Sequence, residues 1–258
     1  MDLGLKGKYA LITGGSHGIG RSTALALARE SCNVAICART RSRIDETISL
    51  INSVDVMGIT ADVTNPADIK KVMEEVKKKW GKLHILVNNV GGGGRWGSEV
   101  TENTSEKVWM EVFDKNAMAT IRFTREAIPI MRKQKWGRIV TITSIYGREG
   151  GGRPWFNMAK AAQTSLMKSL GMSKYLVRDG ITFNSVAPGA IMIPDTGWEK
   201  QSHEDPNGFK KMLDQDYPLG RLGTSEEVAD VITFLCSEKA SLINGASIVV
   251  DGGQSRSF

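Results

Sequence analysis

Short apolar runs alternate with longer amphipathic stretches along most of the chain. Branched residues are frequent in the short runs, as expected for buried strands. This alternation is typical of a parallel sheet whose crossover helices cover both faces. Because such crossovers are right-handed, the pattern predicts an α/β fold with a doubly wound parallel sheet. The seven predicted strands are 8–13, 33–38, 57–62, 84–89, 137–143, 181–188 and 247–253.

Helix-start signals divide the amphipathic stretches. Asn65-Pro66 places a capping residue before a proline, and Thr224 precedes two glutamates in a first turn. No linker-like segment divides the chain, so one domain over residues 1–258 is expected. The polar stretch 191–217 follows a strand end, which makes it a candidate lid over a ligand. Helices are predicted to begin near Ile19, Arg43, Pro66, Ser105, Pro154 and Ser225.

Composition narrows the function class. Apolar residues make up 41% of the chain and charged residues 24%, which is ordinary for a globular domain. The net charge of +6 comes from basic residues interleaved with acids, so nucleic-acid binding is not expected. Three cysteines lack metal-ligand spacing, which favours reduced thiols and no metal. The first apolar run is too short for a membrane span, so a cytoplasmic protein is expected.

A glycine-rich loop follows the first predicted strand and opens a helix, in the stretch "TGGSHGIG". Glycines allow a tight turn and a close approach to a pyrophosphate, and the helix N-terminus stabilises the negative charge. The sequence therefore predicts a dinucleotide site here, with a merely tight turn as the alternative. The expected contacts are Gly14, Ser16, His17, Gly18, Ile19 and Gly20.

The end of the second predicted strand, "CARTRSR", bears on the choice of cofactor. An acid at this point binds the ribose of NAD(H), whereas an arginine suits the 2′-phosphate of NADP(H). No acid is present, and Arg39 is available with Arg41 or Arg43 nearby. NADP(H) is therefore favoured over NAD(H), unless these arginines only face solvent.

Taken together, the motifs resemble the classical short-chain dehydrogenase/reductase family over nearly the full length, and this implies a Rossmann-type fold. Beyond the glycine loop, the resemblance is carried by "ADV", "NNVG", "DKNAMA", "TITS", "FNMAK", "PG" and "VDGG". It implies further cofactor contacts at Asp62, Val63, Asn89, Gly91, Lys160, Pro188, Gly189 and Ile191.

The resemblance also implies catalytic roles. Ser144 would hydrogen-bond the substrate oxygen, Lys160 would hold the nicotinamide ribose and lower the pKa of a phenol, and Asn116 would hold a proton-relaying water. The position that would supply the phenol is Phe156, one helical turn before Lys160. A developing alkoxide needs a hydrogen-bond donor and a proton of matched pKa. Phenylalanine keeps the shape of the phenol without its proton.

Four explanations of Phe156 stay open. A Tyr→Phe replacement, natural or introduced, would impair carbonyl reduction. A conjugate reduction of an activated double bond would not need the phenol. Tyr146 would be a substitute acid if it reached the pocket. The last possibility is a non-catalytic NADP(H)-binding sensor.

Two further expectations concern the substrate and the assembly. The expected substrate is a small carbonyl or alcohol compound. Tryptophans and arginines in the surrounding loops would suit a carboxylate or phosphate group, or they would be lid packing and solvent-facing charges. The helix carrying Lys160 is apolar on more than one face, and with the family resemblance this favours a homotetramer. The loop residues are Arg95, Trp96, Arg148, Arg153, Trp155 and Trp198.

Overall fold

A computed structural model describes residues 1–257. Its seven strands form one parallel sheet in the order β3-β2-β1-β4-β5-β6-β7, which confirms the predicted doubly wound fold. The strands are β1 (Tyr9–Thr13), β2 (Asn33–Ala38), β3 (Val56–Thr60), β4 (Ile85–Asn88), β5 (Gly137–Ile142), β6 (Ile181–Pro188) and β7 (Ser247–Val250).

Helices cover both faces of the sheet. Each predicted helix start lies within two residues of an observed one. Asn65 accepts a hydrogen bond from the backbone N–H of Ala67, and Thr224 forms a capping box with Glu227, as their sequence signals predict. The helices are α1 (Gly18–Arg29), α2 (Arg41–Ser49), α3 (Pro66–Trp80), α4 (Glu106–Phe113), α5 (Ala119–Gln134), α6 (Pro154–Gly171), α7 (Lys174–Val177), α8 (Gly197–Glu204), α9 (Pro206–Asp216) and α10 (Ser225–Leu235).

Alternate residues of each strand feed two apolar cores. Ile12 of β1 packs toward α1 and α10, whereas its neighbour Leu11 packs toward α3, α5 and α6. Both side chains are fully buried. Because the central strands are covered on both faces, they are continuous apolar runs rather than alternating ones.

The chain reverses direction across the sheet between β1 and β4. These two strands pair in parallel, with Leu11 opposite Leu86, and the chain builds outward from them to either side. Open α/β sheets bind ligands at such a switch point, beyond the carboxyl ends of the strands. The glycine loop after β1 and the "NNVG" stretch after β4 meet there.

The stretch 191–217 is more regular than its polar sequence indicates. It contains α8 and α9, which the sequence does not predict. Asp205 accepts a hydrogen bond from the backbone N–H of Gly208, and Pro206 occupies the first turn of α9. Trp198 packs near Phe209 and Tyr217, with ring centroids 6.5 and 6.4 Å apart. The aromatic residues of this stretch therefore pack locally around Trp198.

A π-helical turn, Asp114–Met118, joins α4 to α5. The sequence predicts only one helix beginning near Ser105 for this region. Single π turns widen a helix and are frequent at functional sites. Here the turn carries Lys115 and the buried Asn116.

Candidate active site

One elongated cavity of 1130 Å³ runs along the carboxyl ends of the central strands. Most of the residues that the sequence singles out line it, from the glycine loop at one end to the Lys160 motif at the other. The lining includes Gly14, Ser16, His17, Gly18, Ile19, Arg39, Asp62, Val63, Asn89, Gly91, Ser144, Phe156, Lys160, Pro188, Gly189 and Ile191.

The glycine loop is built as the anion site requires. Gly14 and Gly18 have φ angles of 64° and 50°, which disfavour residues with side chains. A Cβ atom on Gly20 would lie 2.3 Å from the Gly14 carbonyl oxygen, so Gly20 supports the turn from outside the lining. Among the described residues, α1 has no side-chain cap, which leaves its first N–H groups free for an anion.

Two arginines line the adenosine end. Arg39 and Arg43 line the cavity, whereas Arg41 pairs with Asp45 and with the Gly58 carbonyl outside it. Hydrogen bonds from the backbone and side chain of Thr64, together with Arg39 and Lys115, hold the pKa of Asp62 below its usual range. The glycine cradle and these two arginines fit a dinucleotide phosphate.

The catalytic end brings Ser144, Phe156 and Lys160 to one lining. Ser144 follows β5, where its Oγ atom accepts a hydrogen bond from the Tyr146 backbone N–H at 3.2 Å. Phe156 and Lys160 share one face of α6, and the Lys160 Nζ atom lies 5.6 Å from the Phe156 ring centroid. The buried Lys160 donates to the Ile142 carbonyl at 2.9 Å. Burial, followed by the charge of Lys115, lowers the pKa of Lys160 to about 7.

Asn116 supports the cavity from behind. Its side-chain amide donates to the carbonyls of Gly92 and Val112 and accepts from the Gly92 N–H, and its own backbone carbonyl accepts from Gln163 and Thr120. These bonds tie the loop after β4 to the π turn. The water-holding role of Asn116 stays a prediction.

The first part of the candidate lid reaches across the cavity to the glycine loop. His17 Nε2 donates to the Pro194 carbonyl at 2.9 Å, and Arg43 pairs with Asp195 at 3.1 Å. Ile193 lies 3.1 Å from the position of a Cβ atom on Gly18. The segment therefore contacts the glycine loop and α2 at the edge of the cavity.

The loop residues divide between two environments. Trp96 and Trp198 line the cavity, and Arg95 stacks over Trp198 at 4.9 Å. Trp155 is fully buried against Trp109, so its prediction as part of a substrate wall is wrong. Arg153 pairs with Glu99, and Arg148 donates to the Ser247 carbonyl.

Lys115 is a charged lining residue that the sequence does not predict, as are Glu111 and Asp114. It precedes Asn116 in "DKNAMA", and its ammonium lies 4.8 Å from the Trp96 ring centroid. Burial and Arg39 lower its pKa, and Asp62 opposes this shift. The sequence signal is weak, because only the π turn directs a residue at this position toward the cavity. Met110 and Thr143 are further lining residues that were not predicted.

Comparisons with known proteins agree with this geometry. The family model described as enoyl-(acyl carrier protein) reductase matches residues 14–255. The chain belongs to the short-chain dehydrogenase/reductase family. A curated relative, 3-oxoacyl-[acyl-carrier-protein] reductase FabG of Escherichia coli, is 33% identical over 97% of this chain and 98% of its own length.

Two further members of the short-chain dehydrogenase/reductase family match as completely. The FabG reductase of Aquifex aeolicus is 35% identical over 98% of this chain and 99% of its own length. The crystal structure of L-sorbose reductase from Gluconobacter frateurii, complexed with NADPH and L-sorbose, has a TM-score of 0.91 and 33% identity. It covers the whole of both chains. The family assignment places this chain in a family of oxidoreductases.

Among residues 1–257, no helix is both long and apolar enough to cross a membrane.

Proposed function

We propose that this chain is an NADP(H)-dependent oxidoreductase that interconverts a carbonyl compound and its alcohol, with turnover impaired by Phe156. One observation carries the proposal: a single cavity joins the glycine loop and Arg39 to Ser144, Phe156 and Lys160. The NADPH complex of the L-sorbose reductase, whose fold matches over its full length, supports the same cofactor here.

The main lining residues of the cavity would have distinct roles in this reaction. The glycine loop and the α1 N-terminus would hold the pyrophosphate, and Arg39 would pair with the 2′-phosphate. Bound NADP(H) would supply or accept the hydride. The Ser144 hydroxyl would donate to the substrate oxygen and stabilise its developing negative charge. Phe156 would shape the pocket without donating a proton.

Conjugate reduction of an activated double bond is the second candidate function. The matching family model, described as enoyl-(acyl carrier protein) reductase, favours it. In that reaction the hydride goes to carbon, and water can supply the proton. The missing phenol would then cost little.

The remaining explanations have less support. Tyr146 does not line the cavity, and its ring packs against Gly151 and Gly152 instead. A purely cofactor-binding sensor has no chemical need for Ser144 and Lys160 at one end of the groove. The substitute acid and the sensor are therefore less well supported than carbonyl reduction and conjugate reduction.

The experiment combines cofactor binding with a substrate panel. Calorimetry should show tighter binding of NADPH than of NADH, and NADPH should be consumed with at least one ketone, aldehyde or enone. Identification of the product by mass spectrometry separates carbonyl from double-bond reduction. Equal affinity for both cofactors would reject the NADP(H) assignment, and binding without any turnover would favour the sensor.

The proposal includes a cytoplasmic homotetramer. Large apolar side chains are exposed on and beside the helices that follow β5, including Met172 and Tyr175 at 70% and 62%, and Leu242 at 97%. A second copy of the chain would cover such surface. Sedimentation at micromolar concentration should give four times the mass of the chain.

A further inference from the structure

The catalytic end of the cavity has few groups that can release a proton. Phe156 has none, and the Ser144 hydroxyl does not titrate near neutral pH. Besides Lys115, whose ammonium lies over the Trp96 ring, the remaining ammonium among the described lining residues is that of Lys160. It lies beside the ring that replaces the phenol, 5.6 Å from the ring centroid.

The hydrogen bonds of Lys160 leave protons available. An ammonium carries three N–H donors, and the Ile142 carbonyl takes one of them at 2.9 Å. A Cβ atom on Gly91 would lie 2.9 Å from Nζ, so glycine at this position leaves the space beside the ammonium open. Two donors therefore remain for groups that enter the cavity, namely the nicotinamide ribose that Lys160 is expected to hold and the substrate oxygen.

The surroundings of Lys160 favour release of a proton. Its neighbours are the Ile142 carbonyl on β5, the Phe156 ring on α6, Gly91 after β4, and Asn116 on the π turn, none of which is charged. The charged group that faces it is Lys115. No carboxylate lies within 4.0 Å of Nζ among residues 1–257. Burial and the like charge bring the pKa of Lys160 to about 7.

We propose that Lys160 itself donates the proton to the substrate oxygen, in place of the phenol that Phe156 lacks. This inference rests on the proposed carbonyl reduction. The carbonyl carbon gains the hydride that bound NADPH supplies, and the π electrons move to oxygen. The N–H bond of Lys160 breaks as the O–H bond of the alcohol forms. The neutral amine then recovers a proton from solvent.

Lys160→Arg tests the donation, because arginine keeps the positive charge but does not release a proton in proteins. The Lys160→Arg change is introduced into the unchanged chain and into Phe156→Tyr. For each pair, kcat is measured with a ketone that Phe156→Tyr reduces. Where the phenol is present, Lys160→Arg should lower kcat only a few-fold. In the unchanged chain the loss should be about 10²–10⁴-fold, the usual contribution of a general acid. An equal loss in both backgrounds would overturn the inference.

The pH profile of the unchanged chain is independent of whether the variant folds. Its kcat should be constant below about pH 7 and fall tenfold per pH unit above it, as Lys160 loses its proton. A flat profile between pH 6 and 9 would overturn the inference. Lys168→Arg, an exposed lysine on the same helix, should leave the profile unchanged.

Cofactor binding separates this inference from the proposed function. The affinity for NADPH, measured by fluorescence, should change only a few-fold in Lys160→Arg, because the charge is kept. If Phe156→Tyr reduces ketones and the unchanged chain reduces none, the proton donation by Lys160 is overturned while the proposed carbonyl reduction stands. Failure of both forms on every ketone would reject the carbonyl reductase and this inference with it.

Discussion

We predict that Arg39, the residue after β2, controls the cofactor preference. It lines the adenosine end of the cavity, is exposed, and has no carboxylate within 4.0 Å among the described residues. A charge-assisted hydrogen bond contributes about 1.5–3 kcal/mol. Arg39→Ala should therefore weaken NADPH binding by about 10–100-fold and leave NADH binding nearly unchanged, as measured by calorimetry.

Arg41→Ala is the matched control, because Arg41 is two residues away and already pairs with Asp45. It should leave both affinities within about two-fold. Equal weakening of NADPH and NADH by Arg39→Ala would show that this arginine does not distinguish the 2′-phosphate.

Residues within one motif were predictable, whereas residues brought together by distant contacts were not. The glycine loop, Ser144, Phe156 and Lys160 lie where local pattern and family resemblance predict them. Lys115 was missed because its influence on Lys160 crosses 45 positions of sequence and depends on a π turn. Trp155 was misplaced because an aromatic residue in a helix's first turn can face either the core or the pocket.

At the scale of elements, residues 255–257 hold the loop that follows Ser144. One carboxylate oxygen of Glu149 accepts hydrogen bonds from the Ser255 hydroxyl and from the backbone N–H groups of Arg256 and Ser257, at 2.9–3.0 Å. Glu149→Ala removes this acceptor. Hydrogen exchange at Arg256 and Ser257 should become faster, and KM should rise because the loop borders the catalytic end.

Glu75→Ala provides the comparison, since Glu75 is an exposed carboxylate paired only loosely with Lys71 at 3.9 Å. In Glu75→Ala, neither hydrogen exchange at residues 256 and 257 nor KM should change. Unchanged hydrogen exchange at residues 256 and 257 in Glu149→Ala would contradict the proposed role of Glu149 in holding them.

The strands were easier to predict than the helices of the candidate lid. β2 and β6 match their predicted bounds to the residue, because buried parallel strands are continuous apolar runs between polar turns. Within α8 and α9, the residue Phe209 is buried while the others are at least partly exposed. Without an apolar stripe, helical periodicity gives no signal.

For the whole molecule, His84 makes stability depend on pH. Burial, followed by Lys8 and Lys82, lowers its pKa to about 4, and its Nδ1 atom accepts a hydrogen bond from the Tyr9 N–H. The unfolded chain protonates this histidine near its ordinary pKa of about 6.5. The stabilisation by neutral His84 is therefore fully present above pH 6.5 and is lost as pH falls toward 4. The full shift corresponds to about 3 kcal/mol, which solvent screening at this half-exposed ring reduces to about 2 kcal/mol.

Denaturant unfolding at pH 7.5 and pH 4.5 checks this expectation. His84→Gln should show a smaller loss of unfolding free energy between the two pH values than the unchanged chain. An identical loss in both proteins would assign the pH dependence to other groups.

The overall architecture follows from the sequence more directly than its chemistry does. Alternating strand and helix patterns with right-handed crossovers leave few ways to build a seven-stranded parallel sheet, and the observed sheet is one of them. The chemical consequence of Phe156, in contrast, depends on one hydroxyl group. Its loss leaves the fold unchanged, so hydrophobic periodicity and composition give no information about it.

The most direct test of the missing acid is the ratio of ketone turnover between Phe156→Tyr and the unchanged chain at saturating NADPH. We predict faster reduction by Phe156→Tyr, at the low end of the roughly 10²–10⁴-fold contribution of a general acid, because Lys160 donates the proton where the phenol is absent. NADPH affinity should be the same in both. Equal ketone turnover by the two forms would contradict the assignment of position 156 as the missing acid.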